Sequence, residues 1–187
     1  VSHYRLSIHL ITAITIISLI FWLIKNVNSK KNKNFFKFSN PNFPFQFLIL
    51  LLYVQIIMGA FVSGLDAGQI YQTWPLMGNT YVPNDLSSID FTHISKFSNH
   101  SLVQFYHRNL AYLILIYILL LTIFIYKKKL QSLYKPLKIL LFFLFLQVVL
   151  GIFTLISDLN IYLASAHQIT SVLLVFSALN LYYLKAK

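Results

Sequence analysis

The sequence contains no cysteine and no glutamate, and charged residues of any kind are scarce. Asp, Lys and Arg together make up only 10% of its 187 residues, whereas 58% are hydrophobic. About a quarter of the residues of a soluble domain are charged, so this composition excludes an ordinary soluble domain and indicates a membrane protein. The absence of cysteine excludes disulfides between the connecting segments and excludes thiolate ligands for a metal ion.

Five apolar runs are each long enough for the roughly 20 residues that cross a bilayer. They are unbroken rather than alternating, which excludes a transmembrane β-barrel. Because every backbone amide in hydrocarbon needs an internal partner, each run is predicted to be a helix. The expected fold is therefore an all-α polytopic membrane protein. Its predicted spans are Leu6–Ile24, Phe45–Val62, Leu110–Tyr126, Leu137–Ile156 and Ile161–Leu184.

Basic residues are concentrated at one end of the predicted helices. Twelve of the 15 Lys and Arg residues follow the first, third and fifth spans, and all four aspartates lie in the opposite connections. The positive-inside rule then places the chain start outside and the chain end in the cytoplasm or matrix. We call the lysine-rich end inner and the opposite end outer. Topology alone explains these lysine clusters, so the net charge of +11 does not indicate nucleic-acid binding.

The chain begins at Val1 rather than at a methionine and enters its first span almost at once. It has no basic segment of the kind that opens a signal peptide. We therefore expect it to be a fragment of a longer protein.

A pair of helices occurs twice in the later part of the chain. The segment Gln55–Phe61 (QIIMGAF) in the second span matches Gln147–Phe153 (QVVLGIF) in the fourth, and an aspartate follows each. Membrane proteins often build sites at the interface between such repeats. Spans two to five are therefore expected to form an antiparallel four-helix bundle over residues 43–187. Residues 1–42 would form a single transmembrane helix and a basic loop.

Two histidines lie at equivalent places in these repeats, His107 near the outer end of the third span and His167 near that of the fifth. Ionisable residues within membrane spans are rare and usually mark a functional site. Neutral imidazole binds iron, and two imidazoles on facing helices can hold a haem from both sides. We therefore predict a bis-histidine haem; interhelical hydrogen bonds are the alternative. Small neighbours leave room for a flat macrocycle: Ala111, Ala164, Thr170 and Ser171.

The remaining histidines have no such symmetry. His9 lies in the first span near its outer end and has no matching partner in the chain. It is either an interfacial histidine or a ligand whose partner lies on a helix outside this sequence. His3, His93 and His100 lie outside the predicted spans and are not expected to be ligands.

The longest connection is an outer loop at 63–101. Loops longer than about 12–15 residues usually have a function. Asp66 and Gly68 favour turns, and Tyr71 and Trp74 suit a membrane interface. The loop is predicted to be a structural lid or a cap over a cofactor pocket.

Several of these motifs resemble the haem A synthase family, membrane enzymes that make haem A for cytochrome c oxidase. The loop motif and the His107–Arg108 pair are the most specific, and the resemblance covers essentially the whole chain. Because it lacks cysteine, the chain resembles the mitochondrial and alphaproteobacterial branch of the family more than the branch whose members contain cysteine. The matching segments are Tyr4–Leu6 with His9, Gly59–Gly68, Tyr71, Thr73–Met77, Gln104–Arg108, Leu146–Ile152 and His167–Gln168.

The resemblance implies roles for individual residues. The family has eight spans in two four-helix halves, and this chain resembles the fourth span followed by the C-terminal half. His107 and His167 would be the axial ligands of haem b, and Arg108 would pair with a propionate or anchor the helix at the interface. His9 would face the substrate haem. The partner of His9 and an acidic residue implicated in catalysis belong to the first three spans, which this sequence lacks, so the chain alone is not expected to be active.

The implied reaction is the oxidation of a methyl group of haem O to a formyl group in a bacterial or mitochondrial inner membrane. The partners expected from the resemblance are a haem O synthase, an electron donor, membrane lipid and a second copy of the chain. The alternative function is a membrane electron-transfer cytochrome b that uses the same two histidines. A transporter is a more distant alternative, since the histidines lie near one face rather than at the midplane.

Overall fold

A computed structural model describes residues 2–30, 32–37, 39–86 and 97–186. Within these ranges the chain forms long helices and short turns, and its single β-bridge joins Met77 and Thr80. Five helices are long and apolar enough to cross a membrane, which confirms the predicted all-α fold. They are α1 (His3–Ser29), α2 (Phe43–Gly64), α3 (His100–Lys127), α4 (Tyr134–Ile156) and α5 (Ile161–Lys185).

The helices extend beyond the apolar runs that predicted them. The third span was predicted from Leu110, and α3 begins ten residues earlier, at His100. The side-chain oxygen of Asn99 accepts a hydrogen bond from the backbone N–H of Leu102 at 2.9 Å and caps the polar first turn. His3 likewise begins α1. Hydropathy detects only the part of a helix inside the hydrocarbon, so it missed both polar ends.

Helices α2 to α5 form a bundle in which each helix packs against the next and α5 packs back against α2. Neighbours are antiparallel, since the Tyr117 hydroxyl donates to the Pro44 carbonyl at one end while Gln55 contacts His107 further along. This order puts α3 and α5, the two helices with the predicted ligands, diagonally across the bundle. Helix α1 lies outside and packs on α2 and α5.

The inner half of the bundle has a dense apolar core, in which Phe45, Ile125, Leu137 and Tyr182 are almost completely buried. The outer half is packed differently. Each of the four helices has a stretch without a buried residue, and these stretches lie at one level: 53–57, 105–113, 145–156 and 161–169. A helix that faces a filled core buries a residue every three or four positions. The large core therefore lies in the inner half, and a small second cluster of Met58, Phe61 and Val103 lies at the outer ends of α2 and α3.

The connection after α1 ties that helix to the end of α5. The Trp22 indole N–H donates to the Lys33 carbonyl at 2.8 Å, and the Lys33 ammonium donates to the carbonyls of Tyr183 and Ala186. The Tyr183 hydroxyl in turn donates to the Lys25 carbonyl at 3.0 Å. These bonds fix α1 against the bundle. The predicted division of the chain into residues 1–42 and 43–187 stays a prediction.

Candidate functional site

His107 and His167 occupy equivalent places in the outer half of the bundle. Each lies about two turns from the start of its helix, in the stretch where that helix buries no residue. No group of three or more His, Cys, Asp or Glu side chains occurs in the described part of the chain, so the candidate site is this pair of histidines.

His167 is held by one residue of the preceding helix, Gln147. The Nδ1 atom of His167 lies 3.1 Å from the backbone carbonyl oxygen of Gln147, and its Nε2 atom lies 3.2 Å from the Gln147 side-chain nitrogen. The Thr170 hydroxyl donates to the side-chain oxygen of Gln147 at 2.7 Å. Every polar atom of this group therefore has a partner.

His107 has a similar but looser arrangement with Gln55. The side-chain nitrogen of Gln55 lies 3.5 Å from Nε2 of His107 and donates to the His107 carbonyl at 3.1 Å. The Nδ1 atom of His107 and the side-chain oxygen of Gln55 are buried without a hydrogen-bond partner. An unsatisfied buried nitrogen raises the free energy of the site, so this imidazole is less well stabilised than that of His167.

A glycine lies against each imidazole. A Cβ atom added to Gly151 would be 2.9 Å from Cε1 of His167, and one added to Gly59 would be 3.2 Å from Cε1 of His107. Both distances are shorter than ordinary carbon–carbon contacts, so only glycine allows the rings to lie this close to α2 and α4. The repeat seen in the sequence thus has a structural meaning: its glutamine and its glycine contact the histidine of the next helix.

These residues fit a bis-histidine haem. Two imidazoles lie on diagonally opposed helices, one of them with a buried unpartnered nitrogen. No residue of the surrounding helix stretches is fully buried, and the residues nearest the two rings are a glycine and a glutamine rather than large apolar residues.

Arg108 points to the outer loop. Its guanidinium donates to the carbonyls of Thr73 at 2.9 Å, Leu76 at 3.2 Å and Tyr71 at 2.8 Å. An arginine side chain has five N–H donors, so these contacts use three of them. The arginine beside the candidate ligand therefore holds the loop, and its predicted contact with a propionate stays a prediction.

Further hydrogen bonds hold the loop over the bundle. The Gln104 side chain donates to the Tyr71 carbonyl at 2.9 Å, and the Gln72 side chain donates to Asp158 at 2.7 Å. The Tyr71 hydroxyl donates to Asp85 at 2.9 Å. Burial raises the pKa of Tyr71, and the hydrogen bond to Asp85 raises it further, so the phenol stays a donor at neutral pH. The loop is thus anchored to both repeats.

The other histidines lie elsewhere. His9 is exposed on α1, and His100 is exposed at the start of α3. His3 packs edge-on against Phe61, with its Nε2 atom buried and without a hydrogen-bond partner. His93 lies outside the described residues.

Sequence reasoning did not assign Gln55 or Gln147 a place beside the histidines, and it named Thr170 only as a small neighbour of His167. The repeated glutamine, four residues before the glycine in both segments, was the available signal. Its meaning depended on which helix the glutamine faces, and a single sequence does not contain that information.

Comparison with known proteins agrees with the sequence motifs. A family model described as cytochrome oxidase assembly protein (COX15-CtaA) matches residues 1–179. The chain is 43% identical to a haem A synthase of Pelagibacter ubique (strain HTCC1062) over 182 residues, covering 95% of this chain and 51% of that protein. It is 40% identical to a haem A synthase of Wolbachia pipientis wMel over 180 residues, covering 96% of this chain and 50% of that protein.

A haem A synthase of Rickettsia rickettsii (strain Sheila Smith) is 35% identical over 191 residues, which cover 98% of this chain and 55% of that protein. The chain thus spans about half the length of the curated relatives it matches. The family match extends over nearly all of the chain, including both histidine-bearing helices. The chain is an integral membrane protein that belongs to the haem A synthase family of cytochrome oxidase assembly proteins.

Proposed function

We propose that this chain is the haem-holding part of a haem A synthase, which oxidises a methyl group of haem O to a formyl group. The observation that carries the proposal is the pair of imidazoles on diagonal helices, each backed by the same glutamine and glycine. Relatives of the chain are haem A synthases, and this activity belongs to the whole enzyme.

His107 and His167 are the proposed axial ligands of haem b. Two strong-field imidazoles leave no open position on the iron, so this haem would supply electron transfer rather than the oxidation itself. The His167 side chain suits this role because its two nitrogens pair with a carbonyl and an amide, which a neutral imidazole satisfies. Arg108 has two N–H donors beyond those that hold the loop, and a propionate would be their partner.

His9 is proposed to face the substrate haem on the side of α1 that does not contact the bundle. It is exposed, and Ile16, Ile20 and Leu23 on the same helix are 49–61% exposed, so the helix has an apolar surface outside its contact with the bundle. Residues 1–42 would then connect the four-helix unit of residues 43–187 to the part of the enzyme that binds haem O. An electron donor and a haem O synthase are the proposed partners.

The proposed location is a bacterial or mitochondrial inner membrane, with the start of the chain outside. The lysines at the inner end support this orientation through the positive-inside rule.

Histidine substitutions test the proposal. In the chain purified in detergent, His107→Ala and His167→Ala should each abolish stable haem binding, as measured by the reduced-minus-oxidised spectrum and by haem per polypeptide. His9→Ala is the matched control, because it removes an exposed imidazole outside the pair, and it should retain one low-spin haem b. Full haem content in either ligand variant would contradict the bis-histidine site.

A second comparison separates the synthase from an electron-transfer cytochrome b. In the whole enzyme, His9→Ala should impair conversion of haem O while haem b is retained. Loss of haem b in that variant would instead place His9 in the ligand set and favour the cytochrome.

A further inference from the structure

Gln147 contacts both ring nitrogens of His167. A backbone carbonyl oxygen can only accept a hydrogen bond, so Nδ1 of His167, 3.1 Å from the Gln147 carbonyl, must carry the ring proton. In a neutral imidazole the other nitrogen then has a lone pair. The Gln147 side-chain nitrogen, which only donates, lies 3.2 Å from that Nε2 atom. The nitrogen that is free to bind iron is therefore already engaged by an amide.

Thr170 fixes this amide in the donating orientation. Its one hydroxyl proton has three acceptors within reach: the Gln147 side-chain oxygen at 2.7 Å and the carbonyls of Ala166 at 2.8 Å and His167 at 3.0 Å. The Gln147 oxygen is the nearest and can only accept, so the proton is donated to it, which directs the amide nitrogen to the imidazole. Thr170 itself is buried and lies three residues after His167 on α5. The three side chains form one chain of hydrogen bonds in which no donor faces another donor.

A lone pair binds one partner at a time. We propose that Gln147 is a positioning residue that occupies the ligand nitrogen of His167 and releases it when the haem iron takes its place; this rests on the proposed function. Haem loading would exchange the hydrogen bond from the amide for a bond between Nε2 and the iron. No proton leaves the ring, because Nε2 carried none. The backbone bond to Nδ1 is unaffected and keeps the ring orientation during the exchange.

The first repeat supplies a natural comparison. Gln55 is 3.5 Å from Nε2 of His107, and the position three residues after His107 is Leu110, which cannot orient the amide. The side-chain oxygen of Gln55 has no hydrogen-bond partner. The amide competes less with iron at His107, so the effect of removing the glutamine should be larger at His167.

Haem titration of the haem-free chain in detergent tests the proposal, with ferric haem b as the added probe and the Soret band as the readout. Gln147→Leu should bind haem about fivefold more tightly than the unmodified chain, because one hydrogen bond of about 1 kcal/mol no longer has to be broken. Thr170→Val should change the affinity in the same direction. Gln55→Leu is the matched control and should change it less.

The loaded forms supply a second readout. Because the amide is displaced on loading, the low-spin spectrum and the midpoint potential of Gln147→Leu should equal those of the unmodified chain. The proposal would be overturned if Gln147→Leu bound haem more weakly, or if its midpoint potential were shifted and that of Thr170→Val were shifted in the same direction. Either result would mean that the amide acts on the bound haem. Failure of the unmodified chain to bind haem would overturn the proposed function, and this inference with it.

Nitrogen NMR of the haem-free chain gives a test that needs no haem. The Nε2 resonance of His167 should have the shift of a hydrogen-bonded acceptor and should move downfield in Thr170→Val. A protonated Nε2 in the unmodified chain would overturn the proposal.

Discussion

At the scale of single residues, the closest packing around the candidate site is between a glycine and an imidazole. The ring of His167 lies over Gly151 of α4, and the ring of His107 lies over Gly59 of α2. Any larger side chain there would move the ring, and with it the nitrogen that the site requires. The two glycines therefore contribute to the position of the ligands although they have no functional group.

Gly151→Ala should lower haem affinity about tenfold, because the new Cβ would lie 2.9 Å from Cε1 of His167 and overpacking of this kind costs about 1–3 kcal/mol. Haem titration measures the change. Gly59→Ala, whose Cβ would lie 3.2 Å from Cε1 of His107, should have a smaller effect. Gly68→Ala is the control, since its Cβ would meet a Leu159 methyl group at 2.9 Å, away from both histidines. Equal losses in all three variants would indicate a general effect on folding.

At the scale of elements, Arg108 makes three of the hydrogen bonds that anchor the outer loop to helix α3, and Gln104 makes another. Arg108 donates to three carbonyls of the segment between Tyr71 and Leu76, next to the candidate ligand His107. Backbone carbonyls in a loop that lacks regular structure need such partners. A movement of the loop would therefore be transmitted to the helix turn that holds the ligand.

Arg108→Lys should loosen this segment, because one ammonium cannot reach three carbonyls arranged for a planar guanidinium. We expect cleavage by chymotrypsin after Tyr71 or Tyr81 to become about tenfold faster, as local opening becomes about 1.4 kcal/mol easier. Limited proteolysis followed by mass spectrometry measures it. Arg5→Lys, an exposed arginine of α1, is the control. Unchanged cleavage together with a loss of haem would instead indicate that Arg108 mainly contacts a propionate.

At the scale of the whole molecule, α1 is joined to the four-helix bundle at both ends, through the aromatic contacts of His3 and Tyr4 with Phe61 at the outer end and through hydrogen bonds at the inner end. The Lys33 ammonium donates to carbonyls of Tyr183 and Ala186 in the last turn of α5, where the helix dipole favours a positive charge. The ring of Trp22 packs against Tyr182 and Tyr183 beside it. The inner-end contacts therefore contribute to the position of α1, the helix that contains His9, relative to the bundle.

Lys33→Met should destabilise the fold by about 1–2 kcal/mol, since it leaves two carbonyls at the end of α5 without their charged donor. Thermal unfolding in detergent, followed by circular dichroism, measures the lower midpoint. Lys37→Met removes an exposed lysine from the same connection and should have little effect. If both variants unfold at the same temperature, Lys33 does not hold α1 to the bundle.

Much of the fold follows from the pattern of apolar residues. The five runs predicted five helices, and the repeated glutamine-glycine segment placed His107 and His167 at equivalent positions. The start of α3 at His100 did not follow, because its first turns are polar and depend on the cap from Asn99. Nor did the contacts of Arg108, which join residues more than 30 positions apart.

The sequence by itself determined that the chain is a membrane protein, because bilayer hydrocarbon accepts only long apolar segments whose backbone amides are satisfied internally. It also showed the repeat and the equivalent positions of the two histidines within it. Only the tertiary structure decided that α3 and α5 lie diagonally, that Gln147 engages both nitrogens of His167, and that each ring packs on a glycine. These facts depend on how the helices rotate and pack against each other. That geometry results from the sum of many side-chain contacts and is not encoded in any single motif.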